Sequence, residues 1–387
     1  MTTLKTRPLL MCRSLVSLHP CSGSAIRAEN KTGKPQTVRH YDVFKRSAPP
    51  SRSIGNSGRP ASAVDARPRR NRIQTVRAFQ ELGLLFVLLV LVAAASVCVD
   101  NFCTTRNFTS IVRNVANVVI ISGGLTLLVI SKGIDLSVGS VMALVSVVTA
   151  LVYRADLPWP AAVAAGIASG LLVGLLNAVL VNQCRLNPIL TTLATMTSIR
   201  GLAYVLAGGV PIPMKQAAVA WLGEGEVAWL PVPVLLAGLV TVALLVVQRG
   251  TVFGIQTFAV GGNEEAARHC GIAVTRIKYC LYLLSSLCAA LAGLIITGRF
   301  YSGQPTAGNG MEFDAITAVV VGGTSLDGGV GSVLGTVIGA VFIAVINNVM
   351  VLLGCDYYMQ LVAKGVIIVL AILVDQRIRR LGGLTRG

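Results

Sequence analysis

From residue 82 to residue 375 the chain alternates long apolar runs with short polar breaks. Runs at Leu82–Val99, Trp159–Val181, Pro188–Ala207, Leu230–Val247, Tyr279–Thr297 and Val333–Gly354 reach the length of a membrane-crossing helix. Runs at Val115–Ser131, Val138–Tyr153, Phe313–Gly323 and Met359–Asp375 are shorter or interrupted. The strict alternation of apolar and polar positions that marks a membrane barrel is absent. The pattern predicts an all-α membrane protein, a polytopic helical bundle of about ten transmembrane helices, over residues 76–387. Phe313–Gly323 is short for a full crossing. Dropping it would place Arg377, Arg379 and Arg380 on the outer side, so it is read as a span.

Composition supports the membrane reading. Of 387 residues 54% are hydrophobic and 13% charged, and the mean hydropathy is +0.73. A soluble core could not hide that much apolar surface. The net charge of +17 comes largely from residues 1–75, rich in Arg, Ser, Pro and Gly and without apolar periodicity. That stretch reads as a disordered basic tail, or as the product of a mis-assigned start. A basic tail on a soluble protein would suggest nucleic acid; beside a first span it reads as an inner-side flank instead. Beyond the tail, basic residues such as Lys132, Arg249, Arg268 and Lys278 fall on the inner side, and fewer, among them Arg113, Arg154, Lys215 and Arg299, on the outer. The count places both termini in the cytoplasm. The nine Cys are scattered and the three His are not grouped, so no metal site is expected.

The breaks carry the candidate chemistry. Ile134-Asp135-x-x-Val138-Gly139-Ser140-Val141-Met142 matches Leu326-Asp327-x-x-Val330-Gly331-Ser332-Val333-Leu334, a weak repeat that the span count makes parallel. Short Gly-interrupted segments in corresponding places often border a transport path. Ionisable residues near membrane depth are functional candidates. The candidate path residues are therefore Asp135, Ser137, Gly139, Ser140, Arg200, Thr324, Ser325, Asp327, Asn347 and Asn348. Packing roles compete with this for each: Asn114, Asn117, Asn177, Asn347 and Asn348 suit hydrogen bonds between helices, and Lys364 suits a helix carbonyl or a carboxylate partner.

Arg249–Lys278 is too polar for lipid and separates two long apolar runs. Within it, Gly261, Gly262, Asn263, Glu264, Glu265, Ala266, Ala267 and Gly271 predict a short acidic-Ala-Ala helix ending at a glycine cap, suited to docking a soluble partner. No phosphate-binding G-x-x-x-x-G-K-[ST] loop is present, and no catalytic constellation, so the chain is not expected to bind ATP or to be an enzyme.

Ser131-Lys132-Gly133-Ile134-Asp135-Leu136-Ser137-Val138-Gly139-Ser140 resembles the signature of ribose-type ABC transporter permeases. Gly261–Ala267, Gln304–Gly308, Ala318–Leu326 and Asn347-Asn348 match the same family in order and spacing, over about Phe79 to Asp375. The resemblance implies a type II importer-like permease of the bacterial inner membrane that carries a monosaccharide or related polyol. It implies a cytoplasmic ATPase subunit, a periplasmic sugar-binding protein and a permease homodimer or heterodimer, with no cofactor in this chain. By motif, Glu265-Ala266-Ala267 and Gly271 carry over as the ATPase-coupling helix. A branched-chain amino-acid permease and an ion-coupled secondary transporter are the competing readings. An amino-acid path should meet a carboxylate and an ammonium, whereas sparse intramembrane charge favours a neutral sugar.

Overall fold

The computed structural model describes residues 67–214 and 217–381. Most of the expected tail, together with Lys215 and Arg386, lies outside the described residues. In chain order the elements are α1 (Arg67–Cys98), α2 (Thr105–Ile130), α3 (Val138–Arg154), α4 (Trp159–Asn182), α5 (Pro188–Ala207), β1 (Ile212–Pro213), α6 (Ala217–Glu224), β2 (Glu226–Val227) and β3 (Leu230–Pro231). They continue with α7 (Val232–Gly250), α8 (Val252–Gly262), α9 (Glu264–His269), α10 (Val274–Phe300), β4 (Ser302–Gly303), α11 (Met311–Val321), α12 (Val333–Leu352) and α13 (Tyr357–Leu381). Each of the ten apolar runs became one helix. The first helix starts at Arg67, so residues 67–75, expected within the tail, are helical.

The protein is an all-α polytopic membrane protein. Six helices, α2, α4, α5, α7, α10 and α12, are long and apolar enough to cross a membrane; the apolar parts of α1, α3, α8 and α13 are shorter. Local signals set the ends. Thr104 and Ser332 accept backbone N–H bonds at the starts of α2 and α12, and Asn187 does so before Pro188 opens α5.

The core forms where α2, α3, α4 and α10 pack together, around Ile120, Leu125, Leu128, Val141, Met142, Leu281 and Ile295. The crossing windows of α2 and α10 are each 72% buried, whereas those of α5 and α7 are only 28% buried. The free faces of α5 and α7 therefore meet lipid, water or another chain. Polar ties cross the interior: Asn348 Nδ2 donates to Asn107 Oδ1 at 2.7 Å and Asn107 Nδ2 returns a bond at 3.2 Å, joining α2 to α12. Between helices such amides replace contacts that lipid cannot offer.

At one end of the bundle Arg113 pairs with Glu224 at 2.7 Å and Glu226 at 3.2 Å, and Arg299 donates to Asn114 at 2.8 Å. These belong to the set of charges read as outer. Strand β4 pairs antiparallel with β1.

The stretch between α10 and α12 differs from the sequence expectation of a full helical span. Its one long helix, α11, has 11 residues. Residues 301–310 run without helix along α3: Gln304 N donates to Ser146 Oγ at 2.9 Å, a Cβ on Gly303 would meet Ala150, and Gly308 abuts Gly139. Since α3 rises about 1.5 Å per residue, Gly308 lies roughly 20 Å from the far end of α3. Gly and Pro in 303–310 disfavour helix here.

Candidate functional site

Two breaks in the helices approach each other at the start of α3. The first, Ser131 to Ser137, joins α2 to α3. Its Asp135 is fully buried. One carboxylate oxygen accepts from Ser137 Oγ at 2.6 Å, from Ser137 N at 3.0 Å and from Asn177 Nδ2 at 3.4 Å; the other accepts from Ser285 Oγ at 3.1 Å. Asn177 also donates to Ser137 Oγ at 2.8 Å. The break is thereby fastened to α4 and α10. Irregular backbone at membrane depth needs such partners or water. Ser140 donates to Ser137 O at 2.7 Å and is likewise buried. Asp135, Ser137, Gly139 and Ser140 thus act as internal ties in this conformation, with no exposed surface.

The second break is residues 301–310. Arg200, on α5, reaches across to it: Nη1 donates to Ala307 O at 2.6 Å and to Pro305 O at 3.3 Å. Thr306 and Asn309 are exposed on this segment. Glu312, in the first turn of α11, is only 4% exposed, and its Oε2 has no hydrogen-bond partner. A Cβ placed on Gly139 would run into that Oε2 and into Gly308 O, so the second break touches the first turn of α3, just after the first break. The charge of Arg200 is near enough to act on the Glu312 carboxylate. Of the sequence candidates the structure brings Gly139 and Arg200 to this place. Sequence reading missed Glu312, Thr306 and Asn309. The available signal was an acid between a Gly-rich polar stretch and an apolar run.

The second copy of the repeat lies against the first. Gly329 N donates to Ile130 O at 2.8 Å, capping the C-terminal end of α2, and Gly331 sits on the Ile130 side chain. Thr324 and Ser325 are buried, with Thr324 Oγ1 accepting from Ser332 N at 3.4 Å and Ser325 Oγ from Asp327 N at 3.1 Å; Asp327 is exposed. The two repeat segments follow the C-terminal ends of α2 and α11 and meet through the Gly329–Ile130 contact. Asn348 ties α12 to α2, as described above. Asn347 is elsewhere. Its Nδ2 donates to Asp314 Oδ2 at 3.2 Å, and Lys364 pairs with the same oxygen at 2.9 Å, so α11, α12 and α13 are held together by a charged group.

The segment between α7 and α10 folds as two short helices. Thr251 caps α8, and Asn263 caps α9 by accepting from Ala266 N at 3.0 Å. Gly271, at φ +80°, ends the unit as the glycine cap predicted. Ala267 is buried beneath; Glu265, Ala266, Arg268 and His269 face outward. Glu264 binds Arg268 at 2.8 Å and Lys278 at 2.7 Å. Partial burial opposes its ionisation, but the two cations together outweigh that and hold its carboxyl below the usual carboxylate range. A depressed carboxyl keeps its ion pairs above its unfolded pKa and loses them only as pH falls through the folded value. Gly261 is pressed against Ile130 O and the Gly329 amide. Gly261, at the end of α8 just before the exposed short helix, thus packs on the end of α2 and on the second copy of the repeat. Among the described residues, no cluster could hold a metal ion.

These features, a helical bundle with broken crossings and a polar helix standing out between spans, are those of a transport permease. A family model described as "Branched-chain amino acid transport system / permease component" matches residues 107–372, and the chain belongs to that family. It is 41% identical over 297 residues to the ribose import permease protein of Escherichia coli (strain K12), covering 76% of this chain and 92% of the relative. It is 40% identical over 310 residues to the ribose import permease protein of Bacillus subtilis (strain 168), covering 80% and 96%. With the L-arabinose transport system permease protein of Escherichia coli (strain K12) the identity is 35% over 304 residues, covering 78% and 92%. No solved structure matches the chain.

Proposed function

We propose that the chain is the membrane-spanning subunit of a binding-protein-dependent ABC importer that carries a monosaccharide or related polyol inward. The observation that carries this reading is the α9 helix. It is exposed and capped at both ends, and Gly261, just before it at the end of α8, sits on the backbone of Ile130 at the end of α2 and of Gly329 before α12. A soluble subunit pressing on α9 would push on the end of α2, where the first break begins, and on the segment before α12.

In this reading a separate cytoplasmic ATPase hydrolyses ATP, a periplasmic binding protein delivers the sugar, and this chain is not an enzyme. Ten crossings with type II importer topology put both termini in the cytoplasm of a bacterium, with α8 and α9 on the same side. Two permeases, identical or related, enclose the path. The lightly buried faces of α5 and α7 supply surface for that assembly. The family description names branched-chain amino acids, but the relatives reported above are named for ribose and L-arabinose. That favours a sugar.

Reversing one charge tests the docking face. Glu265 is exposed on α9. Glu265→Lys is expected to abolish co-purification of the ATPase subunit and sugar uptake, while the amount of permease in the membrane stays unchanged. Retention of both ATPase binding and uptake would remove the assignment.

A further inference from the structure

The geometry points to Glu312 as a hydroxyl-binding residue for the transported sugar, with Arg200 as its positioning residue and residues 304–310 as the wall of the path. This deepens the sugar-importer reading and rests on it.

Depth is the first argument. The segment lies beside α3 from Ser146 to Gly139, well inside the bundle. Non-helical backbone there is tolerated only when buried in protein or lining water. Yet Thr306 and Asn309 are exposed, and on the facing helix α5 so are Thr197 and Ser198. Polar side chains at that depth are expensive against lipid. This surface therefore turns away from lipid, toward the path that two permeases enclose.

The second argument is Glu312. It is almost wholly buried and one carboxylate oxygen has no partner. Buried acceptors in folded proteins are normally satisfied, so an open one calls for a donor that arrives from outside. The open carboxylate oxygen has two lone pairs, which suits acceptance from a sugar hydroxyl. Gly139 is the only residue type that fits opposite, because a Cβ would fill the place of Oε2 and Gly308 O. Arg200 clasps Ala307 O and Pro305 O and lends its charge to the acid. Acceptor and donors are then offered together, and a hydroxyl uses both. The site is closed here and opens when the breaks move.

The test uses the complete importer, permease with ATPase and binding protein, in proteoliposomes supplied with ATP. Uptake of D-ribose and L-arabinose is measured for wild type, Glu312→Gln, Glu312→Asp and Arg200→Lys. Glu312→Gln is expected to lower uptake about tenfold and to change the ratio of the two rates about threefold, because a lost hydroxyl contact weighs differently on two sugars. Glu312→Asp is expected to restore part of the rate. ATP hydrolysis and recovery of the complex are expected to stay at wild-type levels. Separately, Asn309→Cys in a background without other cysteines is expected to react with a water-soluble maleimide, more slowly when ribose-loaded binding protein and ATP are present. Unchanged rates and ratio in Glu312→Gln overturn the proposal, as does an equal fall for both sugars with poor recovery of the complex. An Asn309→Cys that never labels also overturns it. A wild-type importer that carries none of a panel of monosaccharides removes the sugar reading itself, and this assignment with it.

Discussion

Gly261→Ala is expected to stop sugar uptake while leaving the permease in the membrane and bound to its ATPase. The added Cβ would fall onto Ile130 O, with the Gly329 amide nitrogen at 2.6 Å and Ile130 C at 2.8 Å. All three are backbone atoms, so none can swing aside as a side chain would. The clash also displaces the bond from Gly329 N to Ile130 O, which satisfies a carbonyl left open at the end of α2. Overpacking of this kind costs about 1–3 kcal/mol. The structural cost is modest, but the contact lies between the α8–α9 unit and the backbone at the end of α2 and before α12. A shift there changes how a push on α9 reaches the path, and such couplings vary by about tenfold for small energies.

The adjacent residue supplies the control. A Cβ on Gly262 would meet nothing within 4 Å. Gly262→Ala is expected to keep uptake within about twofold of wild type, as surface substitutions do. The measurement is uptake by cells or proteoliposomes, alongside ATPase co-purification. If Gly261→Ala transports as well as Gly262→Ala, the α9 connection does not run through this contact.

The helices were legible because lipid demands long apolar runs, and each run became one. The short polar helix α9 was legible for the opposite reason. Glu264, Glu265 and Arg268 cannot sit in lipid, and Gly271 marks an end that needs a left-handed residue. The polar interior was partly legible: Asn177 and Asn348 join helices, and Lys364 found a carboxylate. Hydropathy could not say what a break faces. The motif around Asp135 reads equally as a path or as a tie, and only the positions of Asn177 and Ser285 decide for a tie in this conformation. The broken crossing was hidden too. Residues 301–310 have the Gly, Pro and polar content of a surface loop, so the apolar remainder looked like a short span. That they descend beside α3 depends on contacts with Ser146 and Gly139, far away in sequence. Glu312 was lost with them.

Lys364→Met is expected to be among the most destabilising single changes in the bundle. Lys364 and Asp314 are 15% and 6% exposed in their side chains and lie 2.9 Å apart. Removing the cation leaves Asp314 with Asn347 as its remaining side-chain donor and with Oδ1 already unpartnered. Stranding one member of a buried pair costs about 3–5 kcal/mol, because the penalty is the uncompensated charge rather than the lost attraction. Methionine keeps the apolar stem of lysine, so packing around Ile343 and Ile367 changes little. Adding Asp314→Asn to Lys364→Met removes the stranded charge and is expected to recover most of the loss. The check is thermal unfolding of the detergent-purified permease for both single variants and the double variant. Recovery in the double variant identifies charge as the cause. A double variant no more stable than Lys364→Met would show instead that the α11–α13 contact depends on the shape of the lysine chain.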